Sequence, residues 1–248
     1  MVDRISGARA MLVMLLATTF VGVGCKAGPA KPAGFADSPD MKADPNVPFQ
    51  RYWRKPGFDS SKYRNIYVAP VNTSYMLKLT DWQKGERQAD IQKDVDKIAV
   101  FMQQQFARAF KEEKNHRFTV VDSPTMAGDC LTFESALVEV VPSKVTLNAL
   151  GYAPFFIGTG ITVARAAAQD YSSAAFEARV KDSQTGEVIM LLADREGEQV
   201  SLVSVRGLTW YAHAETIIKS WSDQMVQVLE RKGNQKIKDT DPFTLMPW

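Results

Sequence analysis

Two cysteines and two histidines are the scarcest reactive residues in this chain of 248. Cys25 ends the run Gly22-Val23-Gly24-Cys25, directly after a short apolar stretch. A cysteine behind a small residue in that setting is placed for cleavage before it and acylation of its thiol. Cys130 lies in the apolar-leaning run 130–141, where a thiol packs as a small hydrophobe. A reactive Cys130 needs a basic or histidine neighbour, and the sequence supplies none. His116 and His213 are isolated, so no His/Cys/Asp spacing of a metal site arises. His213 reads as a helix-surface or capping residue rather than a base. Asp239 and Asp241 are too isolated for a calcium loop. Gly158-Thr159-Gly160 lacks the lysine and the spacing of a phosphate loop. No Gly-x-Ser-x-Gly elbow or zincin motif is present. The expectation is a non-enzymatic protein with no catalytic residue, cofactor or metal, and with lipidation at Cys25 as its chemistry.

What positions Cys25 is the segment before it. Arg4 and Arg9 supply positive charge, partly offset by Asp3, and residues 10–23 are apolar. Fourteen residues fall short of the roughly 20 that span a bilayer and fit a signal-peptide core of about 7–15. The tetrad ending at Cys25 resembles the bacterial lipobox, with Gly22 standing where Leu or Val is usual. Residues 1–24 are then removed and Cys25 becomes an acylated N-terminus, for example with palmitate. A plain cleaved signal with an incidental cysteine and an uncleaved anchor are the alternatives. Each buried methylene contributes about 0.8 kcal/mol, so one chain holds marginally and two or three hold effectively permanently. Lys26 follows the cysteine; without the Asp that retains enteric lipoproteins at the inner membrane, the expected location is the outer membrane, facing the periplasm.

The net charge of +2 gives no electrostatic case for nucleic acid. With Cys25 acylated, Cys130 has no intrachain partner, and stability must come from the core. Residues 25–49 are read as the lipidated cysteine and a tether: Pro29, Pro32, Pro39, Pro45 and Pro48 interrupt it. Such a spacer is expected to stay extended and to reach roughly 70 Å at about 3 Å per residue. One α/β domain is expected over 50–233, with a polar tail over 234–248 whose Phe243, Leu245, Met246 and Trp248 could dock back. Tyr52 and Trp53 either form a ligand platform or cover the edge of a core.

Within the domain, residues 66–71 read as a strand closed by Pro70. Ile91, Val95, Ile98, Met102, Phe106 and Phe110 are spaced by three and four, which predicts one apolar helix face over 88–113. Strands follow at 117–122 and 131–141. Residues 173–181 alternate, with Ala174, Phe176, Ala178 and Val180 on one face and Ala175, Glu177, Arg179 and Lys181 on the other, as in a half-buried antiparallel strand. A turn at 182–186 and a strand at 187–193 complete a hairpin. Residues 194–207 read as a charged connection, and a second amphipathic helix is expected over 210–232, with Thr209 as N-cap and Gly233 as stop. The expected fold is α/β of the α+β type: a two-layer sandwich, its mostly antiparallel mixed sheet covered by two long amphipathic helices.

Residues 145–164 carry no charge. They have spanning length, but Asn148, Gly151, Pro154, Gly158 and Gly160 argue against a membrane helix. A crossover loop leading to a short helix near 161–169, a surface loop touching lipid or a partner, and a true span remain open. Phe155, Phe156 and Ile157 are the candidate contact residues of that stretch.

Three places together resemble a family. Trp53-Arg54-Lys55-Pro56-Gly57-Phe58-Asp59 leads to Lys62-Tyr63-Arg64-Asn65 and the strand 66–71; Phe176-Glu177-Ala178-Arg179-Val180-Lys181-Asp182 leads to Thr185-Gly186-Glu187; Gly207 and Trp210 precede the helix bearing Trp221. In these the chain is similar to the bacterial lipoprotein family known as domain of unknown function 3313, over about 50–232 plus the signal. The resemblance implies an envelope lipoprotein of unassigned activity and brings no catalytic residues. The functional expectation is a membrane-anchored, non-catalytic binding or assembly module. Its partners are the bilayer, through N-terminal acyl chains, and an envelope protein. The alternative is a membrane-remodelling or pore- or secretion-associated subunit using 145–164.

Overall fold

Apolar side chains at helical spacing produce α1 (Gln88–Glu112), and its whole stripe from Ile91 to Phe110 is buried. A computed structural model describes residues 28–76, 88–124, 128–141, 171–199 and 211–239. Before α1 come β1 (Arg51–Arg54), a 3-10 turn at Ser60–Lys62 and β2 (Asn65–Val68). Asp59 caps that turn, its carboxylate accepting from the Ser61 N–H. After α1 follow β3 (Thr119–Val121), β4 (Cys130–Val141), β5 (Tyr171–Asp182), β6 (Val188–Gln199) and α2 (Ala212–Glu230).

The strands form a six-stranded sheet in the order β1-β6-β5-β4-β2-β3. The first three pairings are antiparallel and the last two, β4 with β2 and β2 with β3, are parallel. The parallel β2–β3 pair needs a long crossover between its strands, and α1 lies in that connection. Among the described residues the fold is therefore α+β, a mixed sheet with two helices.

Side chains alternate across each strand. One face carries Phe133 and Leu137 of β4, Phe176 and Val180 of β5, and Met190 and Leu192 of β6 into a single core with both helices. Phe106 of α1 meets Phe133 at 4.7 Å between ring centres, and Trp221 of α2 meets Phe176 at 4.4 Å. The other face carries Glu134, Glu177, Arg179, Lys181, Leu191, Arg195 and Trp53 in register across β4, β5, β6 and β1.

Three expectations need correction. β6 runs to Gln199 rather than stopping at 193, because antiparallel pairing with β5 continues through Asp194↔Phe176, Arg195↔Ala175 and Gly197↔Ser173. Charged residues persist in that ladder: Asp194 accepts the buried Trp221 indole N–H, and Arg195 pairs with Glu139. Second, β5 is buried on both faces: Ala175 and Glu177 are as buried as Ala174 and Phe176. Third, residues 28–49 are not a free spacer. Phe35, Ala36, Met41, Val47 and Phe49 are buried, and Lys42 bridges to Tyr52 through two backbone hydrogen bonds of 2.9 Å. The prolines keep the segment extended without preventing it from docking, since its apolar residues and backbone donors find partners on the sheet. The fold thus begins before residue 50. It also continues past Gly233, whose positive φ of 56° makes the turn after α2: Ile237 is buried and its N–H donates to Asn46 O at 2.9 Å.

Candidate functional site

The covering of the second sheet face is built around Glu177, which is 2% exposed. Its neighbours across β4 and β6 are Ala136 and Ala193, small enough for backbone to approach. A strap of chain, residues 28–42, lies there. Glu177 Oε1 accepts the Ala33 N–H at 2.6 Å; Oε2 accepts the Phe35 and Ala36 N–H groups, each at 2.8 Å. Gly34, at φ 90°, supplies the left-handed turn between the first and second donors. Converging backbone N–H groups of this kind form an anion-binding concavity, and here the anion is a side chain of the same protein.

The strap is held along its length. Arg195 Nη1 donates to Gly28 O at 3.3 Å. Arg179 lies 4.5 Å over the Phe35 ring, and its Nη1 donates to Phe35 O at 3.4 Å. Asp37 pairs with Arg51. The Phe35 ring also meets Tyr75 edge-on at 5.2 Å. The cations that grip the strap are fixed by sheet carboxylates. Glu134 pairs with Arg179 and, at 2.9 Å, with Lys181; Glu139 Oε1 accepts from Arg195 Nε at 2.7 Å and from Ser173 Oγ at 2.8 Å. Burial alone would raise the Glu134 pKa, but Lys181 and Arg179 hold it below the usual carboxylate range.

A second buried carboxylate, Asp194, is also 2% exposed. It accepts the Trp221 indole N–H at 2.9 Å and the Gln50 N–H at 3.1 Å, which ties α2 and the end of the N-terminal segment to β6. Glu177 and Asp194 both line a cavity of about 10 Å³, the room of about one water. A larger open groove, about 290 Å³, lies between the strap and Trp53, Arg179, Val188 and Leu191. Of the two aromatics noted in sequence, Tyr52 is buried in the core and Trp53 is half-buried in the wall of this groove.

Two other carboxylate sites complete the electrostatics. Asp182 accepts the Tyr63 hydroxyl at 2.7 Å. Burial and that carboxylate push the Tyr63 pKa up to about 12. Burial opposes ionisation of Asp182, yet donors from Thr185, Tyr63 and Gln184 keep its pKa below the ordinary value. Near the C-terminal ends of both helices, Glu113 accepts the Asn115 and Arg117 N–H groups while Asn115 Nδ2 donates to Glu230 at 3.2 Å. Burial and the neighbouring Glu113 raise the Glu230 pKa.

Cys25, Phe155, Phe156 and Ile157 lie outside the described residues, as do Thr209, Phe243, Leu245, Met246 and Trp248. Cys130 is buried, its Sγ 3.5 Å from Leu131 O. His116 forms the turn after α1 at φ 46°, beside Glu113, and His213 is half-buried in the first turn of α2. Among the described residues no group of three or more His, Cys, Asp and Glu is placed to hold a metal, and no helix is long and apolar enough to cross a membrane. The role of Glu177 was missed in sequence. The available signal was Ala175 and Ala193 on a nominally outward face, together with Phe35, Met41 and Val47 among the prolines.

An α+β domain with a folded-in N-terminal strap is the class of protein these features define. A family model described as "Protein of unknown function (DUF3313)" matches residues 31–225, and the chain belongs to that family. The match takes in the strap from Lys31 onward. Comparison with curated proteins returns no match. Among solved structures, the chain is similar to the PelC dodecamer from Paraburkholderia phytofirmans at 9% identity and TM-score 0.40, over 74% of this chain and 97% of that one. It is similar to the hypothetical protein CT253 from Chlamydia trachomatis at 11% identity and TM-score 0.34, over 67% and 91%. A DUF4136 family protein from Bacteroides thetaiotaomicron matches at 10% identity and TM-score 0.34, over 70% and 95%.

Proposed function

We propose that this protein is an envelope lipoprotein, acylated at Cys25 and held at the outer membrane facing the periplasm, whose domain is a non-catalytic binding or assembly module. The observation that carries this reading is the strap. Only three residues after Cys25 the chain is gripped, at Gly28, and it stays gripped through Lys42. A buried carboxylate and three arginines are committed to fixing the segment that follows the anchor, which suits a domain loaded through its N-terminus. In this reading the helices form one layer and the sheet the other, with the strap across the sheet's second face. The groove beside Trp53 is the surface offered to an envelope protein.

The test is the mass of the N-terminal peptide from the membrane fraction of a bacterial host. A Cys25 carrying diacylglycerol supports the reading; an unmodified Cys25 in a soluble chain rejects it. Replacing Cys25 by Ser is expected to move the protein out of the membrane fraction while leaving its fold intact.

A second reading, a membrane-remodelling or pore-associated subunit, rests on the uncharged stretch 145–164. Phe155, Phe156 and Ile157, changed together to Ser, then abolish dye release from vesicles. A wild-type chain that releases no dye removes this reading.

A further inference from the structure

We infer that one end of the sheet, where β4 finishes and β5 begins, faces the bilayer and rides against its headgroups. The inference deepens the anchoring proposal and rests on it. The strap has a direction. Gly28 is held by Arg195, which pairs in register with Ala175; Pro29, Ala30 and Lys31 pass Val138 and Ala193; Ala33 reaches Glu177; Phe35 reaches Arg179. The chain therefore arrives from the end of the sheet that holds Ser173, Glu139 and Gly197, and runs toward the end that holds the turn at Asp182.

Covalent geometry then limits the standoff. A chain spans at most about 3.6 Å per residue, so Cys25 lies within about 11 Å of Gly28 and within about 29 Å of Ala33. The roughly 70 Å reach of a free spacer is not available to a strap gripped this early. β5 has 12 residues, about 40 Å at 3.4 Å each, longer than that leash. The end at Ser173 and Gly197 is the near end, and the turn at Asp182–Gly186 is the far one. The chemistry of the near end fits a headgroup layer. Glu139, Ser173 and Arg195 are joined there by hydrogen bonds of 2.7–3.3 Å, so the Arg195 guanidinium and the Glu139 carboxylate offset each other in a polar rim suited to headgroups. The partner of this surface is thus the leaflet that holds the acyl chains.

The test uses the lipidated chain with a fluorophore on an added cysteine, Gly197→Cys at the near end or Gln184→Cys at the far end. Both positions are exposed, and the native Cys130 is buried. Each protein is reconstituted into phosphatidylethanolamine and phosphatidylglycerol vesicles carrying a headgroup nitroxide, and Cys25 is checked by mass in the same sample. The expected result is loss of emission from the label at 197 and retained emission from the label at 184. Equal emission from the two labels on a chain acylated at Cys25 overturns the orientation and leaves the anchor standing. An unmodified Cys25 overturns both.

Discussion

A carboxylate that accepts three backbone N–H groups from one short segment holds it by charge-assisted hydrogen bonds, each worth about 1.5–3 kcal/mol net. Glu177 does this for Ala33, Phe35 and Ala36. Replacing it by Ala leaves three donors without an acceptor. Glu177→Ala is expected to lower unfolding stability by about 3 kcal/mol in urea titrations and to open the strap to trypsin after Lys42, a site shielded while Lys42 pairs with Tyr52. Glu177→Gln keeps one acceptor oxygen but turns an NH2 toward backbone donors, so it is expected to lose most of the same stability. Sequence could not reveal this contact. Period-two alternation places Glu177 correctly on the second face, but its partners lie 141 to 144 residues away, and nothing local distinguishes a docked strap from a free one. The same limit applies to Asp194, whose place in a charged run concealed its bond to Trp221. Glu134 and Asp182 add a pH dependence at this scale. Their folded pKa values lie below the ordinary ones, so the stability they contribute is complete above about pH 4–5 and disappears as pH falls through the folded values. Unfolding midpoints measured from pH 7 to pH 3 are expected to fall, and to fall less in Glu134→Gln.

At the scale of elements, the two helices were legible because a 3.6-residue period is a local property. The stripe of α1 from Ile91 to Phe110 is buried as its spacing required, and α2 buries Ile217, Ile218, Trp221, Met225, Val228 and Leu229. Phe106→Ala is expected to cost about 3–5 kcal/mol, since its ring packs on both Phe133 and Phe176. The end of β6 was misread for a different reason: its last residues are charged, and only pairing with β5 makes them a strand. Where both helices end, the acids give a second pH signature of opposite sign. Glu230 has a folded pKa raised by burial and by Glu113. The stability it contributes is full below its unfolded value and is lost as pH rises through the folded one. Glu230→Gln is expected to be more stable than wild type at pH 8, to lose that advantage near pH 4, and to flatten the slope between. Calorimetric midpoints across that range check both signs.

For the whole molecule, the folded-in strap changes what the N-terminus can do. A sequence rich in proline after Cys25 suggested a long leash; the sheet reclaims nearly all of it. Strap, Glu177 and β5 form one connected path; under the proposed acylation of Cys25, anchoring and folding are coupled and the domain sits close to its membrane. The reading of Cys25 as the end of a signal rests on charge, length and the small residue before it, all of them local features of the sequence. How residues 28–42 are held was not legible there, because it depends on a surface assembled from distant strands. The most direct measurement is the intact mass of the protein recovered from bacterial membranes. A chain that begins at Cys25 and carries diacylglycerol is the expected result. A chain that retains residues 1–24, or begins elsewhere, with a free Cys25 thiol in the soluble fraction would contradict it.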